Sequence, residues 1–125
     1  AMSEQIMTRT LYDRLGGEQG IRAIVRDVLD NHMNNPIVSV RYGKADLEKV
    51  YKYAVEFFCA GTGGPQQYTG RDMLTVHRGM NVSEQEFVEV LDDILAALDK
   101  NDIDHDTRTE VLGVLYSMKN EIVRV

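Results

Sequence analysis

Leu11-Tyr12-Asp13-Arg14-Leu15-Gly16-Gly17 is the segment that decides how this chain begins to fold. Its first five residues favour a short helical turn, and the glycine pair breaks the helix before a longer one starts. Apolar residues then recur at the three-and-four spacing of one helix face, namely Ile21, Ile24, Val25, Val28, Leu29 and Met33. Asn34-Asn35-Pro36 ends this pattern. The sequence therefore predicts a turn, a glycine break and a long amphipathic helix.

A second long helix is predicted to start after Asp46, whose side chain can cap it. Its buried face carries Leu47, Val50, Tyr51, Ala54, Val55 and Phe58. The run Gly61-Thr62-Gly63-Gly64-Pro65 ends the helix, since glycine and proline favour turns. From Pro65 to Val82 no long periodic run occurs, so we expect an ordered loop with one helical turn.

The last third of the chain predicts two more helices. Ser83-Glu84-Gln85-Glu86 has the form of a capping box, and apolar residues at helical spacing follow it to about Lys100. After Asp104, a fourth helix is expected to run to the chain end. No repeats and no convincing strands are evident, which predicts an all-α fold.

Composition narrows the functional classes. The formal net charge of −6 disfavours binding to nucleic acid or to anionic lipid. No apolar run reaches the length of a membrane helix, so we expect a soluble, cytoplasmic protein. The single cysteine, Cys59, excludes an internal disulfide and is interpreted as a small core residue. We interpret residues 1–10 as an expression remnant and lead-in, and residues 11–125 as one domain.

The order and separation of several motifs resemble those of the group I truncated haemoglobins. These motifs are the Leu11–Gly17 segment, Glu56-Phe57-Phe58 running into Gly63-Gly64-Pro65, Tyr68-Thr69-Gly70, and Met73 followed by His77. The likeness extends from Leu11 to about Leu115. It implies a truncated-globin-like two-over-two helical sandwich around one haem. The alternative fold is an ordinary up-and-down four-helix bundle, the physical default for a short all-α chain.

The resemblance also implies where the iron ligand should lie. We expect the proximal histidine directly before a phenylalanine at the start of the helix after the loop, and here Glu86 precedes Phe87. A carboxylate is not the usual axial ligand of globin haem. Glu86 can instead return a hydrogen bond within the Ser83 capping box. We therefore expect the chain to lack the standard proximal ligand.

The distal side and the pocket wall follow from the same comparison. Leu29 stands where the family commonly has a tyrosine that donates a hydrogen bond to bound oxygen, and Val50 and Ala54 occupy the facing helix. The resemblance also assigns pocket-wall positions to Tyr42, Phe57, Phe58 and Met73. These side chains either line a haem slot or fill the core, and the core interpretation has more weight because aromatic and methionine side chains at helical spacing more often fill a core than contact a cofactor.

Three histidines remain as possible iron ligands. His77 lies nine positions before Glu86 and is interpreted as a loop-anchoring residue, although a shifted loop would bring it to iron. His32 is expected at the rim, near the end of the first long helix. His105 is expected to be exposed at the start of the last helix, where Asp104 is a helix cap rather than part of a calcium loop.

Two functional hypotheses result. The first is a truncated-haemoglobin-like protein that does not bind haem by the standard ligand, needs no cofactor or metal, and works as a non-enzymatic module for an unknown protein or a small apolar ligand. The alternative is a globin that binds haem b through His77 or another side chain and handles oxygen, nitric oxide or electrons. No motif for other catalytic chemistry is present.

Overall fold

The computed structural model describes residues 9–125, so residues 1–8 of the predicted lead-in at 1–10 lie outside the described residues. In chain order the elements are α1 (Leu11–Arg14), α2 (Gly17–Met33), α3 (Pro36–Ser39), a 3-10 turn (Val40–Tyr42), α4 (Leu47–Gly61), α5 (Met73–His77), α6 (Glu84–Lys100), α7 (His105–Tyr116) and α8 (Lys119–Ile122). Across residues 9–125 the β-structure is limited to one isolated bridge between Val82 and Val123. The predicted all-α class is confirmed.

Side-chain caps explain where the helices begin. Asp46 accepts hydrogen bonds from the backbone N–H groups of Glu48 and Lys49 at the start of α4, and Asp104 accepts one from Thr107 at the start of α7. At the start of α6, Ser83 and Glu86 make both bonds of a capping box. Each cap satisfies backbone donors that have no partner within the helix. The predicted starts of the three long helices after α2 are thus confirmed.

The glycine pair between α1 and α2 is needed for its backbone conformation. Gly16 has φ +94° and Gly17 has φ +69°, values that side chains with a Cβ rarely adopt. Two consecutive left-handed residues turn the chain sharply from α1 into α2. This geometry is the physical basis of the break predicted from the sequence.

The four long helices, α2, α4, α6 and α7, pack around one shared core. Helix α2 packs against both α4 and α6, and α6 also packs against α7. Ile21, Ile24 and Val25 of α2 and Leu98 of α6 are almost completely buried in the core between them. Cys59 is fully buried there, as the sequence indicated. The core therefore lies between these helices, and α5 borders a separate space.

Two expectations about the helices need correction. Met33 was placed on the buried face of α2 but is 40% exposed, because the face turns toward His32 at the helix end. The fourth helix does not continue to the chain end: α7 stops at Tyr116, and α8 follows after a turn.

Among the described residues, no helix combines the length and apolar character that crossing a bilayer requires.

Candidate ligand cavity

A cavity of about 670 Å³ lies between α2, α4, α5 and α6. This volume falls within the range of roughly 300–1,000 Å³ that is usual for small-molecule sites. All ten pocket residues predicted from the sequence line it: Leu29, Tyr42, Val50, Ala54, Phe57, Phe58, Met73, His77, Glu86 and Phe87. Of the two alternatives, these side chains border a space, and Phe58 also packs against the core.

His77, the last residue of α5, lines this cavity with a defined hydrogen bond behind it. Its Nδ1 lies 2.8 Å from the carbonyl oxygen of Met73, one turn earlier. A carbonyl oxygen can only accept, so Nδ1 must carry the hydrogen and Nε2 carries the lone pair in the neutral ring. An imidazole whose second nitrogen is held in this way is the usual form of a metal-ligating histidine. In the neutral ring of His77, a residue of the cavity lining, the lone pair is therefore on Nε2.

The Glu86 carboxylate also reaches the cavity wall, but other groups of the protein hold it. Arg41 donates from Nε to Oε2 at 2.7 Å and from a terminal nitrogen to Oε1 at 2.9 Å. The Ser83 backbone N–H donates to Oε1 at 3.2 Å. The Arg41 guanidinium above all lowers the pKa of Glu86 to about 2. Both carboxylate oxygens are therefore engaged by the protein, in the capping box and in the ion pair with Arg41.

His32 differs from its expected position at the rim. It is 4% exposed and lines the cavity, and its Nδ1 lies 2.7 Å from Oδ2 of Asp93 on α6. The ring of Tyr42 stacks on it, with centroids 6.0 Å apart and planes 17° apart. Sequence spacing held a signal for this burial, because His32 follows Val28 by four residues and Leu29 by three. Its partner on another helix could not be read from that spacing.

The wall formed by Leu29, Val50 and Ala54 carries no side-chain hydrogen-bond donor. Phe57 of α4 contacts both Phe58 and Tyr68 edge to face. These side chains make this wall apolar, as the comparison with the family suggested. The polar groups of the cavity come from elsewhere.

Hydrogen bonds to α4 and to the C-terminal segment hold the loop that carries α5. The backbone N–H and hydroxyl of Thr69 donate to Oε1 of Glu56 at 2.8 and 2.7 Å, which lowers the pKa of Glu56. At the other end, the Gly79 N–H donates to the Val125 carbonyl at 3.1 Å. These contacts hold the segment on both sides of His77 and so restrict the position of His77.

Arg71 is a cavity residue that the sequence analysis did not identify. Within residues 9–125, its guanidinium makes no ion pair at the 4.0 Å limit. A cation at the edge of an apolar cavity suits the carboxylate of a ligand that is otherwise hydrophobic. Its position in a loop without periodicity left no sequence signal for this role.

The fold and cavity define a globin with a two-over-two helical arrangement. The model of the bacterial-like globin family matches residues 10–124, and the chain belongs to that family. A group 1 truncated haemoglobin of Mycolicibacterium paratuberculosis is 28% identical over 90% of this chain and 83% of its own length. The corresponding protein of Tetrahymena pyriformis is 26% identical over 94% of this chain and 88% of its own length.

Solved structures confirm the fold. The Fe(III) form of the Tetrahymena pyriformis truncated haemoglobin superposes with a TM-score of 0.91 at 23% identity, covering 94% of this chain and all of that one (100%). A 2/2 haemoglobin of a Synechococcus species, described as cyanomet with covalently attached heme, gives 0.87 at 18% identity over 94% and 100% of the two chains. An unrelated four-helix bundle is thereby excluded.

These relatives overturn one expectation from the sequence. We expected no cofactor, yet the matched proteins are haemoglobins by name, and one is described with heme attached. That expectation followed from placing the proximal position at Glu86 and treating the pocket walls as core. A cavity bordered by the His77 imidazole removes the physical basis for it.

Proposed function

We propose that this protein binds haem b in the cavity, with His77 as the axial iron ligand, and works as a globin that handles a small gaseous ligand or an electron. The observation that carries the proposal is the His77 imidazole, which lines the cavity while its Nδ1 is held by the Met73 carbonyl at 2.8 Å. The proposal adopts the alternative hypothesis of the sequence analysis and replaces the non-haem module.

The residues present fit a haem group. The cavity is lined mostly by apolar side chains, which suits a porphyrin ring, and its volume of about 670 Å³ is that of a site for a sizeable cofactor. Phe87 and Met73 supply apolar surface near His77. Arg71, at the cavity edge, would pair with a haem propionate. Bound haem would supply reversible binding of diatomic ligands and one-electron chemistry.

The protein's own part in this function is to hold the ring, supply one nitrogen ligand and limit polar contacts. With Leu29, Val50 and Ala54 on the wall, no donor there strengthens the binding of oxygen, so oxygen should be held weakly. Glu86 would support the site by joining Arg41, in the 3-10 turn, to the start of α6.

The test is haem titration of the purified protein. We expect a Soret band that saturates at one haem per chain, with a ferrous carbon-monoxide spectrum typical of histidine ligation. His77→Gly should lose that spectrum, and added free imidazole should restore it, because a small imidazole can enter the space that the side chain leaves.

The matched control is His105→Gly, since His105 is exposed at the start of α7 and away from the cavity lining. It should keep the wild-type spectrum. Absence of a stoichiometric Soret band in the folded wild type would refute haem binding. A His77→Gly protein with an unchanged histidine-type spectrum would refute the assignment of the ligand.

A further inference from the structure

His32 and Asp93 form a buried imidazole–carboxylate pair that the binding of haem through His77 does not use. The two residues are 61 positions apart and meet because α2 packs against α6. Their side chains are 5% and 15% exposed. Burial of such a pair is costly unless further hydrogen bonds satisfy it.

The hydrogen-bond pattern assigns each ring nitrogen. An ionised carboxylate only accepts, so the 2.7 Å contact with Asp93 places the hydrogen on Nδ1 of His32. Nε2 then carries the lone pair. Within residues 9–125, Nε2 makes no hydrogen bond. It is nevertheless accessible to solvent. His32 lines the cavity, which leaves Nε2 available to a molecule inside it.

Neighbouring groups hold the pair in place. The Asn35 side chain donates to Oδ2 of Asp93 at 3.2 Å, and the Asn31 side chain donates to the Asp93 carbonyl at 2.9 Å. The stacked ring of Tyr42 fixes the plane of the imidazole. Burial raises the pKa of Tyr42, so its hydroxyl stays protonated.

We propose that the His32–Asp93 pair accepts the proton of a small weak acid that enters the cavity, so that the acid is held there as its anion. The inference rests on the proposed haem function and names the ligand class of that site. In this step the bond between hydrogen and the acid breaks, the electron pair stays on the anion, and the proton bonds to the Nε2 lone pair. The Asp93 carboxylate then stabilises the imidazolium, and Nε2–H donates to the anion.

The charge around the pair is compatible with this step. Asp93 of α6 faces Nδ1 of His32, and Glu89 of α6 accepts a hydrogen bond from the neighbouring Asn35 side chain. The other charged and titratable side chains that line the same cavity are Tyr42, Tyr53, Tyr68, Arg71, His77 and the paired Arg41 and Glu86. The Arg41 charge is balanced by Glu86. The wall of Leu29, Val50 and Ala54 offers no competing proton acceptor.

The experiment uses hydrogen cyanide as the weak acid and the Soret band of the ferric, haem-loaded protein as the reporter. His32→Phe keeps an aromatic ring against Tyr42 but removes the proton acceptor. We expect its cyanide affinity to fall about 10–100-fold, the worth of a hydrogen bond to a charged group. Asp93→Asn should lower the affinity in the same direction.

Two controls isolate the proton step. Carbon monoxide has no proton to give, so its affinity for the ferrous protein should be the same in wild type and His32→Phe. His105→Gln alters an exposed histidine and should leave cyanide binding unchanged. If His32→Phe does not fold by circular dichroism, Asp93→Asn carries the same test. Equal cyanide affinities in folded variants and wild type would overturn the proposal.

A second readout does not depend on haem. Nitrogen NMR of the histidine rings in the purified protein should show His32 with hydrogen on Nδ1 and none on Nε2 at alkaline pH. The opposite tautomer would overturn the proposal. Failure of the wild type to bind haem would instead refute the proposed function, while this NMR measurement would still test the pair.

Discussion

Replacing Glu86 with glutamine removes the negative charge that joins the 3-10 turn to α6. In the wild type, Arg41 donates two hydrogen bonds to this carboxylate at 2.7 and 2.9 Å, and the Ser83 N–H donates a third at 3.2 Å. The Arg41 contact is the main reason that the pKa of Glu86 falls from 4.5 to about 2. The difference sets a ceiling of about 3 kcal/mol on the stability gained from ionisation.

Solvent reduces that ceiling, because the Arg41 and Glu86 side chains are 32% and 21% exposed. We therefore expect Glu86→Gln to lower the free energy of unfolding by about 1–2 kcal/mol near neutral pH. The pKa is depressed in the folded state, so this contribution is complete above the unfolded value of 4.5 and is lost as the pH falls through about 2. The two proteins should thus approach equal stability as acid is added.

Urea denaturation followed by circular dichroism at several pH values measures this difference. Glu84→Gln is the matched control, because Glu84 lies two residues away, is 74% exposed, and pairs with Lys119 only at 3.4 Å. It should change stability by less than about 0.5 kcal/mol. A Glu86→Gln deficit that stays constant from neutral pH to about pH 3 would refute the ion-pair account. The variant should still bind haem, since Glu86 is not the proposed ligand.

Three further predictions concern stability, each measured by urea denaturation. Ser83→Ala removes the N-cap of α6 and should cost about 1 kcal/mol; no loss would contradict the capping role. Phe58→Ala should cost less than the roughly 3–5 kcal/mol of an enclosed phenylalanine, because the ring borders a cavity; a loss in that full range would place it in a filled core. Gly20→Ala should lower the free energy of unfolding by more than about 2 kcal/mol, because the alanine Cβ would lie 2.2 Å from the Leu15 carbonyl oxygen. Gly113→Ala adds a Cβ in open space and should stabilise α7 by about 0.5–1 kcal/mol. Equal effects of the two substitutions would contradict this account.

The local pattern of the sequence was sufficient for the helices and for the cavity lining. Periodicity and capping residues act over three or four positions, so Asp46, Ser83 and Asp104 could be recognised as helix starts without a tertiary structure. The order of motifs along the chain indicated the family, and through it ten of the residues that line the cavity. Whether those side chains fill a core or surround a space depends on how far apart the helices pack, which periodicity does not encode.

Only the tertiary structure decided which polar groups meet in the cavity. Arg41 reaches Glu86 across 45 positions, and His32 reaches Asp93 across 61. Sequence reasoning placed His32 at the rim, because a side chain's partner on another helix leaves no mark on local spacing. His77 lies in a segment without periodicity, so its direction depends on contacts to α4 and to the C-terminal residues. Local interactions determine the helices, and long-range packing determines which imidazole faces the cavity.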